Sequence, residues 1–145
     1  MSLEREPSQR FDLPVLDAFS SDAIPVHLLT KEAVALYLRH LRGPDSVLAF
    51  HISNRNLDLR PVVAGLCKEY GLAAIYIPDS FSLWMLASKN PEMLKVPDSA
   101  KRGKPVFLTK EPPLWTDDYS NLYDLLYDIL YDRLLKLLRS DLTKR

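Results

Sequence analysis

Residues 46–87 read SVLAFHISNRNLDLRPVVAGLCKEYGLAAIYIPDSFSLWMLA, and the changes of pattern along them decide the fold class. Residues 46–53 are β-rich and mostly apolar, as expected for a central strand covered on both faces. Asp58 stands where it can cap a helix through residues 61–70, with Pro61 in the first turn and Gly71 just past the end. Two strand-like runs follow, 72–77 and 81–87, separated only by Pro78, Asp79 and Ser80. So short a connection requires an antiparallel hairpin.

Working outward, residues 11–17 (FDLPVLD) form a short apolar run that reads as a strand, although Pro14 removes one ladder donor. From Pro25 the pattern becomes VHLLTKEAVALYLRHL, with Leu29, Val34, Leu38 and Leu41 at near-helical spacing and Gly43-Pro44 as the stop. Downstream, residues 89–118 are rich in proline and charge and read as a long surface excursion with a short strand at 105–109. From Ser120 the chain turns strongly helical almost to its end. The order is therefore strand, helix, strand, helix, hairpin, helix. That is an α/β pattern with parallel strands from the crossovers and an antiparallel hairpin at the sheet edge.

Composition narrows the function classes. With 145 residues, 47% hydrophobic and 26% charged, the chain suits one globular domain and neither extended disorder nor a membrane protein. Nineteen basic and nineteen acidic residues cancel, so no global field favours nucleic acid or an anionic membrane. The lone Cys67 and three dispersed histidines form no zinc pattern. The polar start MSLEREPSQR lacks the basic and apolar parts of a secretory signal, and the expected location is the cytoplasm.

Three segments in order, DAFSSDAIPVHLLTKEAVALYLRHL, VLAFHISNRNLDLRPVV and WTDDYSNL, resemble the spermidine synthase-like proteins, above all the bacterial form fused to a transporter-like membrane segment. The resemblance covers about residues 11–122 and implies a class I methyltransferase-type, Rossmann-like mixed sheet entered at its fourth strand. It divides the chain into a polar leader (1–10), the C-terminal half of such a domain (11–122) and an extended C-terminal helix (123–145). The glycine-rich turn that holds the adenosyl group lies earlier in the family. Gly43, Gly65, Gly71 and Gly103 form no G-x-G turn here. The resemblance thus implies decarboxylated S-adenosylmethionine as co-substrate, with no cofactor site in this chain. A parent protein fused to a membrane segment would place the domain on the cytoplasmic side of that membrane.

By resemblance, Asp17 is the catalytic proton acceptor and Asp22 the anchor for substrate ammonium groups, with Ser20 and Ser21 between them in the substrate loop. The chemistry is direct. A polyamine is cationic, carboxylates neutralise it, and the attacking nitrogen must lose a proton before it displaces a sulfonium leaving group. The same loop also reads as a turn in which Ser20, Ser21 and Asp22 cap the next segment. The spacing DAFSSD is longer than the DSSD type of authentic spermidine synthases.

Further substrate-binding candidates are His27, at the start of the first helix, and His51 with Asn54, at the carboxyl end of the central strand where open α/β sheets bind ligands. His51 also reads as a buried histidine bonded to backbone, and His40 as a solvated residue near a helix C-terminus. Asp117, Asp118 and Tyr119 match a TDD element that closes over the family's active site, and equally suit an N-terminal cap. Trp84 reads as core or edge packing. In the terminal helix Tyr123, Tyr127 and Tyr131 form one ladder and Asp124, Asp128 and Asp132 a second. Leucines widen its apolar arc, which suggests packing against another subunit.

Two functions follow as expectations. One is an aminopropyltransferase completed by a complementary half-domain and inactive alone, with a polyamine or similar amine as ligand. The other is a non-catalytic α/β module that forms homo-oligomers. A sheet without its first three strands is expected to leave residues 11–17 as an exposed edge.

Overall fold

The computed structural model describes residues 2–17, 26–54, 57–108, 110–122 and 125. Strand β1 (Val15–Leu16) is followed by helix α1 (Lys31–Arg39) and strand β2 (Val47–His51). Helix α2 (Arg60–Glu69) then leads into the hairpin of β3 (Ala73–Pro78) and β4 (Leu83–Ser88). A short helix α3 (Pro97–Arg102) precedes β5 (Lys104–Pro105). These strands form one mixed sheet in the order β1-β2-β4-β3-β5. β1 pairs parallel to β2, while β4 runs antiparallel to both β2 and β3. The hairpin's second strand therefore lies inside the sheet, between two strands that precede it in the chain.

Local chemistry explains the element ends. Thr30 has extended backbone, and its hydroxyl accepts the N–H of Ala33 at 3.2 Å. Such a cap contributes about 1 kcal/mol and starts α1 at Lys31. Of the run expected to be helical from Pro25, Lys31–Arg39 forms α1 and Val26–Leu28 a separate 3₁₀ turn, while Leu41 lies beyond the helix in a bridge to Phe11. Leu59, without a side-chain cap, occupies the position before α2. Asp58 instead accepts the N–H of Arg60 at 3.0 Å and grips its guanidinium. At the other end Gly71 adopts φ +61°, with Gly71 N–H bonded to Lys68 O and Leu72 N–H to Cys67 O. That double bond is the Schellman ending for which glycine is suited.

Several expectations need correction. The 11–17 strand shrinks to two residues. Pro14 has no N–H for the ladder, and Phe11 instead exchanges bonds with the end of α1, to His40 O and from Arg42 N–H. His40 is not solvated but 1% exposed. The N-terminal segment folds over it, so that Gln9 N–H donates to Nδ1 at 3.2 Å and Nε2 meets Leu3 O at 2.9 Å. Gln9 N–H can only donate, so Nε2 carries the ring hydrogen. The 89–118 stretch is no simple surface excursion, because it holds a 3₁₀ turn (Pro91–Leu94), α3 and the fully buried Trp115. The strand expected at 105–109 is Lys104–Pro105. The terminal helix beyond residue 122 lies outside the described residues apart from Leu125, which is helical and 3% exposed.

The main core lies between one sheet face and the two long helices. Leu48, Phe50 and Ile52 of β2 and its extension alternate toward it, and α1 and α2 cover them through Val34, Tyr37, Val62 and Leu66. At the edge, Val15 of β1 and Leu13 just before it are more than half exposed, so an exposed apolar edge is observed.

Cys67 belongs to this core at 3% exposure, and burial pushes its thiol from the ordinary 9.0 up to about 12. The thiolate is the reactive form. Native Cys67 is therefore expected to resist a thiol-specific disulfide reagent at about pH 8 and to react promptly in guanidinium. The linkage has a definite sign. The unfolded thiol releases a proton that the folded one keeps, so stability falls as pH climbs from 9.0 toward about 12. Native labelling as fast as that of the unfolded chain would show that the thiol is open to solvent.

Candidate functional site

Because β1 and β2 are parallel, their carboxyl ends lie side by side. The register pairs Leu16 with Phe50, so the next residues along, Asp17 and His51, are neighbours. Asp17 Oδ1 lies 2.5 Å from His51 Nδ1. The other ring nitrogen, Nε2, lies 2.8 Å from the hydroxyl of Ser53. Ser53 Oγ in turn accepts the backbone N–H of Leu83, the first residue of β4, at 2.7 Å. A carboxylate, an imidazole and a hydroxyl thus stand in one hydrogen-bonded row.

The ring is held from the side as well. Trp84 pairs with His51 across the ladder, and the two rings stack with centroids 4.6 Å apart and planes 21° from parallel. Trp84 is therefore packing, as its pattern suggests, but packing against the site. The His51 side chain is 20% exposed and that of Asp17 is 55% exposed. The row is consequently reachable from solvent at both of these residues.

His51, Ser53 and Asn54 line an open cavity of about 450 Å³ bordered on its other side by the hairpin turn, including Asp79, Phe81 and Ser82. Asn54 shapes this rim by accepting the N–H of Leu57 at 2.9 Å. Asp79 is held below the ordinary carboxylate value, chiefly by the N–H of Ser80 and then by the Arg102 guanidinium at 3.0 Å.

A second cluster forms at the start of α1. A β-α-β crossover puts this helix terminus at the same end of the sheet as Asp17 and His51. Asp117 Oδ1 accepts the Thr30 hydroxyl at 2.6 Å, and Asp117 N–H donates to Glu32 at 2.9 Å. Lys31 N–H donates to Trp115 O at 2.8 Å. His27 is exposed and lines a cavity of about 490 Å³ with Thr30, Glu32 and Asp117. The TDD element therefore caps the first turn of α1, whereas Asp118 and Tyr119 point away as exposed residues of a tight turn.

The sequence-predicted residues thus divide. His51 and Asn54 line the first cavity, with Asp17 bonded to His51 beside it, His27 and Asp117 line the second, and Asp118 and Tyr119 line neither. Ser20, Ser21 and Asp22 lie outside the described residues. Ser53 was missing from the predicted site. Its signal is its place two residues after His51, which puts both side chains on one side of an extended segment. Among the described residues, no group of three or more His, Cys, Asp or Glu is placed to hold a metal ion. Among them, too, no helix is long and apolar enough to cross a membrane. The chain matches no protein-family model, and no curated protein matches it either.

Proposed function

We propose that this chain is the carboxyl half of a spermidine synthase-like, Rossmann-type domain whose Asp17–His51 pair captures a small cationic amine. The observation that carries the reading is the Asp17 carboxylate. It stands half-exposed at the carboxyl end of a parallel strand, with Oδ1 fixed by His51 and Oδ2 without a hydrogen-bond partner among the described residues. An ammonium group needs such an oriented anionic acceptor. The strand ends of an open α/β sheet are also where ligands of this fold type bind. Asn54 adds a polar side chain beside the row.

Were decarboxylated S-adenosylmethionine supplied to the bound amine, Asp17 would take the proton released as the amine nitrogen attacks the aminopropyl carbon. The carbon–sulfur bond breaks as the new carbon–nitrogen bond forms. Gly43, Gly65, Gly71 and Gly103 form no G-x-G turn for the adenosyl group, and the proposed property of this chain is amine capture.

Calorimetric titration of the full chain with putrescine and with spermidine tests the reading. Saturable binding is expected, weakened by roughly tenfold or more in Asp17→Asn, which corresponds to about 1.4 kcal/mol. Silence with both amines, or equal binding by Asp17→Asn, defeats it. A second reading, a non-catalytic module that self-associates, draws on the β1 edge, where Phe11, Leu13 and Val15 are all exposed.

A further inference from the structure

We infer that Ser53 is an activated nucleophile, primed by His51 and oriented through Asp17, that takes the acyl group of a small uncharged ester bound in the adjoining cavity. This goes beyond amine capture and does not rest on it.

The direction of every hydrogen in the row follows from its two ends. Leu83 N–H can only donate, so at that contact Ser53 Oγ is the acceptor and its own hydrogen is left for His51. The Asp17 carboxylate can only accept, so in a neutral ring Nδ1 carries the hydrogen and Nε2 presents a lone pair. Both ends select one tautomer, in which Ser53 O–H donates to Nε2 across 2.8 Å. A hydroxyl on a base, with the base oriented by a third group, is the arrangement that activates serine, and it is recognised by geometry rather than by chain order.

Two further features support the role. A serine serving only to end the β2–β4 ladder would need the Leu83 bond alone, yet here the imidazole is held as well, by Asp17 and by the stacked Trp84. Ser53 itself lines the cavity of about 450 Å³, whose walls include Ile52, Leu57, Pro78 and Phe81. These apolar groups suit a short acyl chain.

The chemistry balances without another reactant than water. Ser53 Oγ bonds to the carbonyl carbon while its proton passes to His51 Nε2. The bond to the leaving alkoxide then breaks, and that oxygen takes the proton from Nε2. Water repeats the exchange and frees the acid and Ser53. His51 and Ser53 are catalytic residues in this step, and Asp17 is a positioning residue.

The test is covalent labelling of the full chain with a biotin-linked fluorophosphonate, followed by intact mass and peptide mapping. Attack breaks the phosphorus–fluorine bond, releases fluoride and leaves one phosphonyl group on Ser53. The labelling rate is expected to fall by roughly a hundredfold in His51→Gln and to drop in Asp17→Asn as well. Both variants should keep the parental circular dichroism spectrum. The parent chain decides the matter even where a variant folds poorly. No adduct on Ser53 under conditions that fully label trypsin overturns the inference, as does equal labelling of Ser53→Ala. An unchanged rate in a folded His51→Gln also overturns it, because it reports a merely exposed hydroxyl. Amine titration has no bearing on these outcomes, so the two proposals fail separately.

Discussion

Gly65→Ala is expected to destabilise the chain by about 3 kcal/mol, near the upper end of the usual range for an overpacked core. Gly65 lies in α2 with the 112–113 segment laid directly across it. A Cβ there would stand 2.2 Å from the carbonyl oxygen of Pro113 and 3.4 Å from Cβ of Pro112. The nearest obstacle is backbone, flanked by a second proline, and no flexible side chain tip is available to swing aside. Either the segment lifts from the helix or α2 shifts away from the sheet. For a chain of this length the melting temperature should drop by roughly 10 °C. Thermal unfolding followed by circular dichroism measures it, and a fall under about 3 °C would show that the crossing is loose.

A comparable loss, about 3–5 kcal/mol, is expected for Trp115→Ala. Trp115 is the largest fully buried side chain, and it joins the core cluster that contains Phe50 and Leu125. Its carbonyl also holds Lys31 N–H at the start of α1. Removing the indole leaves a cavity where the 110–122 segment meets the helices. Trp115→Phe should cost much less, because the indole N–H finds no acceptor among the described residues and no hydrogen bond is lost. Denaturant unfolding of the pair separates packing from polarity. Equal losses in both variants would mean that the N–H, not the ring volume, matters.

What was legible in the sequence follows the range of the physics. Glycine at 71, the apolar run 46–53 and the three-residue link 78–80 act locally, and they announced α2, β2 (Val47–His51) and the hairpin. Asp17 and His51 were recognisable as strand-end residues for the same reason. Their contact was not, because it depends on which strands become neighbours. Ser53 was hidden more deeply still. Its role depends on the β4 register that brings the N–H of Leu83 to its oxygen. His40 went astray through another non-local event, the folding of residues 3–9 back over its ring. The TDD element was legible as a candidate lid or as a helix cap, but its partners at α1 were not, since it takes the fold to bring Thr30 and Glu32 to Asp117 as an O–H donor and a carboxylate acceptor.

The interior place of β4 has a consequence for how the chain is made. During synthesis β2 and β3 emerge first, yet in the finished sheet they stand two strand spacings apart, about 9–10 Å, and cannot pair with each other. Their facing edges stay open until residues 83–88 have left the ribosome. The short turn makes β3–β4 pairing the more local event, so the expected order is hairpin first and docking on β2 second. Until that docking the Leu83 N–H has not reached Ser53, so the polar row at the strand ends is completed by the same event that closes the sheet.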